Sequence, residues 1–125
     1  MILKEVRKFK IDTFRDNRGL LSFFSSSKNR FNIKRVYYIE NNNVNVIRGK
    51  HSRNLGSKFY FCSEGKLSIK IEHKKKIKII NLYKGEMVKI SSKFWIEIKF
   101  HSKSTRCIVF DNREYKEKEY NRKKT

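Results

Sequence analysis

The stretch KLSIKIEH, residues 66–73, decides the fold class. Leu67, Ile69 and Ile71 fall two apart, so an extended chain puts them on one face and Lys66, Ser68 and Lys70 on the other. A helix would scatter the same residues around its surface. The alternation therefore describes a strand with one face on a core and one face toward water or a partner.

The same period of two recurs on either side. Strands are expected at residues 4–14, 20–26, 33–40, 45–53, 58–65, 66–73, 75–83, 86–91, 94–102 and 105–112, and no long window repeats apolar residues at three and four. DNRG (16–19), ENNNVN (40–45), SEGK (63–66), YKGE (83–86) and DNRE (111–114) place Asn, Asp or Gly where a turn needs them. Many short strands separated by such turns predict an all-β sandwich or small barrel. REYKEKEYNRKKT (113–125) has no apolar periodicity beyond its tyrosines and reads as a basic C-terminal tail, either a short helix or a frayed end.

The chain has 125 residues, enough for one domain with a single core. The N-terminal MILKEVRKFKIDTF alternates apolar and charged residues too closely for a signal-peptide core, and no run reaches the length of a membrane span. A cytoplasmic protein with no membrane partner is expected. Cys62 and Cys107 both lie in apolar strand-like runs and are expected as buried free thiols.

A net charge of +20 suggests phosphate-bearing partners. Yet the chain lacks alanine, proline and glutamine and is crowded with Lys, Asn and Ile, as an AT-rich coding sequence would make it. No groove-reading helix or RNA-binding motif accompanies the charge, so nucleic acid is not an expected partner. A basic nucleic-acid-binding β-domain stays open only as an alternative.

Within RGKHSRN (48–54), strand phasing puts His51 and Arg53 on one face, two residues after Gly49, whose missing Cβ permits close backbone approach. An imidazole is suited to proton abstraction near neutral pH, and a neighbouring guanidinium favours its neutral form. On spacing alone, a strand histidine is more often a satisfied or exposed residue. His51, His73 and His101 are not at ligand spacing, so no metal is expected, and His73 and His101 read as surface residues. In IKRVYYIE (33–40), Arg35 and Tyr37 share a face and Tyr38 takes the other; the Arg35 fork suits phosphate. Trp95 reads first as core, with sugar or base stacking as the other use of such a ring.

DNRGLL (16–21), FNIKRVYYI (31–39), RGKH (48–51), CSEGKLSI (62–69) and FWIEI (94–98), in that order, resemble the nucleotide-sugar 3,4-ketoisomerases of the WxcM-like cupin family. The resemblance runs from about Phe9 to Tyr120. It implies a cupin double-stranded β-helix, or jelly roll, over residues 1–112, usually a homodimer. It also implies cofactor-free and metal-free conversion of a dTDP-4-keto-6-deoxyhexose to the 3-keto isomer. By that resemblance His51 is the acid/base, Arg48 supports the site, Tyr37 or Tyr38 donates a hydrogen bond, and Arg35 meets the pyrophosphate or sugar. Trp95 and Lys58 join them as substrate-binding candidates. Three positions depart from the family pattern: Arg53 replaces a second histidine, Lys58 a glutamine and Ile96 a histidine. Arg53 cannot shuttle protons but can stabilise an enediolate. A non-catalytic cupin binding a nucleotide sugar or acidic glycan is the alternative from another class.

Overall fold

Residues 66–73 form one uninterrupted strand in which Leu67, Ile69 and Ile71 are completely buried. The computed structural model describes residues 3–124. Among these the strands are β1 (Lys8–Lys10), β2 (Asp12–Asp16), β3 (Gly19–Phe23), β4 (Arg35–Ile39), β5 (Ile47–Arg53) and β6 (Ser57–Glu64). They continue as β7 (Lys66–His73), β8 (Lys76–Tyr83), β9 (Glu86–Ser91), β10 (Trp95–Phe100), β11 (Arg106–Asp111) and β12 (Tyr120–Asn121), with one short helix, α1 (Ser26–Asn29).

Two five-stranded sheets result, ordered β1-β9-β6-β11-β4 and β12-β5-β10-β7-β8, with the β2–β3 hairpin outside both. From β4 to β11 the chain passes repeatedly from one sheet to the other, the winding of a double-stranded β-helix. Between the sheets lies the main core, which includes Leu67, Ile69, Ile71, Val88, Ile98, Phe100 and Val109. A second cluster on the outer side of the first sheet joins Phe59, Phe61 and Met87 to Ile11 and Phe31. β6 is therefore covered on both faces, which explains its unbroken apolar run, FYFC.

One local expectation changes and one is extended. The strand expected at 4–14 divides into a 3-10 turn at Leu3–Glu5, then β1 and β2. Ile11 is the break: its side chain enters the outer cluster while its N–H bonds to the Gly85 carbonyl at 2.9 Å. The tail, read as a short helix or a frayed end, holds a short 3-10 helix and, beyond that reading, a strand. After a 3-10 turn at Glu117–Glu119, β12 pairs with β5, Tyr120 opposite Arg53 and Asn121 opposite Ser52. The Glu119 carbonyl accepts the Asn54 N–H, and the Glu119 carboxylate accepts hydrogen bonds from Nε and Nη2 of Arg113.

The inward rows of the first sheet change character along their length. On β6 the row runs Lys58, Tyr60, Cys62, and on β11 it runs Asp111, Val109, Cys107, with Lys58 opposite Asp111 and Cys62 opposite Cys107. One end of the barrel is thus apolar and the other charged. Cys62 and Cys107 are free and buried at the apolar end.

Candidate active site

Arg53, Lys58 and Asp111 are 5%, 5% and 0% exposed, so the charged end of the barrel holds three buried ionic side chains. Such groups persist only when paired. Asp111 accepts two hydrogen bonds from Arg53, at 2.7 and 2.8 Å, and one from Arg35 at 2.7 Å. Burial alone would raise the Asp111 carboxyl, but the two guanidinium groups outweigh it and hold the acid below its ordinary value. Three cations, Arg35, Arg53 and Lys58, face this single carboxylate and leave the region positively charged.

His51 is set by a β-bulge. Ile96 lies opposite His51, but Glu97 lies opposite Gly49, so Lys50 is the extra residue. Gly49 has φ of +82°, and a Cβ there would meet the Ile96 carbonyl oxygen at 2.9 Å, so only glycine fits. The bulge has a consequence for side-chain direction. Arg48 pairs with Ile98 and His51 with Ile96, so both turn toward one side despite their odd separation.

Both line a cavity of about 510 Å³ together with Tyr37, Tyr60, Ile98 and Arg122. His51 also borders a smaller space of about 20 Å³ with Arg53, Lys58 and Ile96. Burial pushes the imidazole pKa down to about 4, helped by the charges of Lys58, Arg122 and Arg53. It is therefore a neutral base at pH 7.

Tyr120, on the tail, meets the edge of the His51 ring at a centroid distance of 5.1 Å. Its hydroxyl accepts hydrogen bonds from Arg35 at 3.0 Å and Lys58 at 3.1 Å. The Arg35 guanidinium also lies over the Tyr37 ring, 4.7 Å from its centre. Burial raises the Tyr37 phenol strongly and lowers the Lys58 ammonium from its usual value.

The structure thus brings His51, Arg53, Lys58, Tyr37 and Arg35 together. Arg48 stands at the rim, its guanidinium held by the Asn41 side chain at 2.6 Å and the Glu40 carbonyl at 2.8 Å. Tyr38 is not in this group: it is 66% exposed on the opposite face of β4. Trp95 is neither core nor a wall of the cavity. It is partly exposed on the outer face of β10, its indole N–H donating to Glu97, beside a basic groove that includes Lys124. The inward neighbour on that strand is Ile96.

Sequence reasoning missed Asp111 and Tyr120. Asp111 continues the alternation Cys107, Val109, Asp111, and a carboxylate in phase with a core row was a legible signal of a buried ion pair. For Tyr120 no local pattern pointed inward. Among the described residues, no cluster of three or more His, Cys, Asp or Glu side chains gathers as a metal site. No helix among them is long and apolar enough to cross a membrane.

The fold and the histidine-bearing bulge define a protein of the cupin class. A family model described as FdtA, WxcM-like, C-terminal, matches residues 4–125, and the chain belongs to this family. Its structure is similar to that of QdtA, a sugar 3,4-ketoisomerase from Thermoanaerobacterium thermosaccharolyticum solved with TDP. The identity is 27% and the TM-score 0.89, covering 98% of this chain and 90% of that one. WlaRB, the TDP-quinovose 3,4-ketoisomerase of Campylobacter jejuni, is 28% identical with a TM-score of 0.88, covering 97% and 95%. The rmlC epimerase of Mycobacterium tuberculosis, 13% identical with a TM-score of 0.80 over 96% of this chain and 69% of that one, shares the fold. No match is found among curated proteins.

Proposed function

We propose that this protein is a sugar-nucleotide 3,4-ketoisomerase acting on a dTDP-4-keto-6-deoxyhexose. The observation that carries the reading is a neutral, half-buried histidine beside a cationic cavity, in a chain similar to solved 3,4-ketoisomerases. Moving a carbonyl from C4 to C3 requires a base for the C3 proton and positive charge for the enediolate. His51 takes the proton from C3 and returns it to C4. Tyr37, which retains its proton, donates a hydrogen bond to the sugar oxygens.

Enediolate stabilisation falls to Lys58 more than to Arg53. Two terminal nitrogens of Arg53 are engaged by Asp111, whereas the Lys58 ammonium reaches the tyrosines. Arg48 at the rim and the net positive field favour the diphosphate. The 3-keto product suits amination, so the reaction belongs to cytoplasmic deoxyaminosugar synthesis for surface glycans such as lipopolysaccharide O-antigen.

A homodimer is part of this reading. Phe14, Leu21 and Phe23 share one face of the β2–β3 hairpin and are 59%, 58% and 45% exposed, an apolar surface suited to a second copy.

The test is incubation with dTDP-4-keto-6-deoxyglucose in deuterated water, followed by NMR. The 3-keto product should form with deuterium entering at carbon, and His51→Asn should lower turnover by about 10²–10⁴-fold while still being stabilised by dTDP. Thermal stabilisation by dTDP without exchange at carbon would make the protein a binder. His51→Asn at wild-type rate would remove the histidine from the mechanism.

A further inference from the structure

We propose that Tyr120 carries the hydroxyl proton of the reaction, moving it between the two sugar oxygens while His51 moves the carbon-bound proton. The proposal rests on the ketoisomerase reading above. That isomerisation needs two transfers, one from C3 to C4 and one from O3 to O4. On β5 the second position that could serve is Arg53, which remains protonated at any accessible pH and is bound to Asp111 on two nitrogens. Tyr37 is held strongly to its proton by burial.

Tyr120 has the opposite surroundings. β12 places it beside the His51 strand, with the two rings edge to face. Its oxygen accepts from Lys58 on β6 and Arg35 on β4, which uses its lone pairs and leaves its own O–H proton to be donated. Arg53 on β5 and Arg122 on its own segment lie over its ring, 5.8 and 4.7 Å from the centre. Opposing charges stand one step away: Asp111 on β11 pairs with both Arg35 and Arg53, and Glu117 pairs with Arg122. The neutral neighbours are His51, Tyr37 and Tyr115. Burial pushes the phenol up, but Lys58, Arg35 and Arg53 outweigh it and hold it below its ordinary value. Two tyrosines whose environments drive them apart divide the roles, Tyr37 keeping its proton and Tyr120 exchanging it.

The steps balance. His51 removes the C3 proton, the C3–C4 double bond forms, and the C4 carbonyl electrons move to O4, which takes the Tyr120 proton. The phenolate, surrounded by cations, then takes the O3 proton as the C3 carbonyl forms. The enediol electrons take the proton held on His51 at C4, so both side chains end as they began.

Tyr120→Phe in the full chain should lower kcat by about 10²–10³-fold with KM changed by less than about threefold. A difference titration of wild type against the variant, read at the phenolate absorbance, should show one tyrosine ionising below the usual value of about 10. Lys58→Met should move that titration upward. Wild-type kcat in Tyr120→Phe, or no tyrosine titrating below about 10, would overturn the proposal. A fall in kcat without the low titration would make Tyr120 a structural prop and overturn it equally. If wild type converts no 4-keto sugar nucleotide, the ketoisomerase reading itself fails, an outcome distinct from an active Tyr120→Phe. If Tyr120→Phe does not fold, the titration of wild type is compared with that of Lys58→Met instead: a tyrosine ionising below about 10 that moves upward in Lys58→Met supports the proposal, and a titration unchanged by Lys58→Met overturns it.

Discussion

The two ends of the barrel hold their residues by different physics. At one end Cys62, Leu67, Leu82, Phe100 and Cys107 are wholly buried and apolar, and each is stabilised by removal from water without needing any particular partner. At the other end Arg53, Lys58 and Asp111 are equally hidden, but each would be costly to bury alone. The apolar end tolerates loss of one member as a cavity; the charged end depends on every member.

Asp111→Asn tests this most severely. It leaves Arg53 and Arg35 without their shared carboxylate, and a broken buried pair costs about 3–5 kcal/mol, measurable by urea unfolding. Turnover should fall as well, because Arg35 and Arg53 would no longer be fixed beside Tyr120. Phe100→Ala, at the apolar end, should lose a similar 3–5 kcal/mol or so but keep its kcat in the folded fraction. Equal activity losses in the two variants would erase the distinction between the ends.

A smaller effect is visible in pH. The His51 pKa is lowered in the folded state to about 4, so between about pH 6.5 and 4 the unfolded chain binds a proton that the folded one does not. Stability should therefore fall on acidification through that window, by up to about 3 kcal/mol. His51→Asn should flatten the slope. Asp111 acts in the same direction at lower pH, since its depressed value contributes stability above the unfolded carboxylate range that is lost on further acidification. In wild type the acid limb of kcat/KM should follow His51 and lie near pH 4, not near 6.5.

Gly49→Ala should cost about 1–3 kcal/mol, since it strains a positive φ and presses on the Ile96 carbonyl. Its sharper signature is a drop in kcat larger than the stability loss suggests, as the bulge that aims His51 shifts. Trp95→Phe is the mildest change. The ring lies outside the cavity, so turnover should stay within about twofold, and stability within about 0.5 kcal/mol. A large activity loss there would extend the site to the outer face of β10.

Much of this was legible because it depends on spacing alone. Alternation in residues 66–73 depends only on the geometry of an extended chain, so the strand and its buried face follow from the order of residues. The pairing of His51 with Arg53 on one face follows in the same way, as does the fit of glycine at position 49. Family motifs added the jelly-roll winding and the chemistry assigned to His51.

Other features depend on residues distant in the chain, and local pattern holds no record of them. Arg53 reads from the sequence as a cation beside His51; only the fold adds Asp111, 58 positions later, which makes it half of a buried pair. The bulge that turns Arg48 and His51 to one side exists only because β10 lies alongside β5. Tyr120 looked like part of an unpatterned tail until β12 joined the sheet and put its hydroxyl between Lys58 and Arg35. Residue order settles which side chains face inward along a strand; which of them meet, and with what protonation, is set by the packing of strands far apart in sequence.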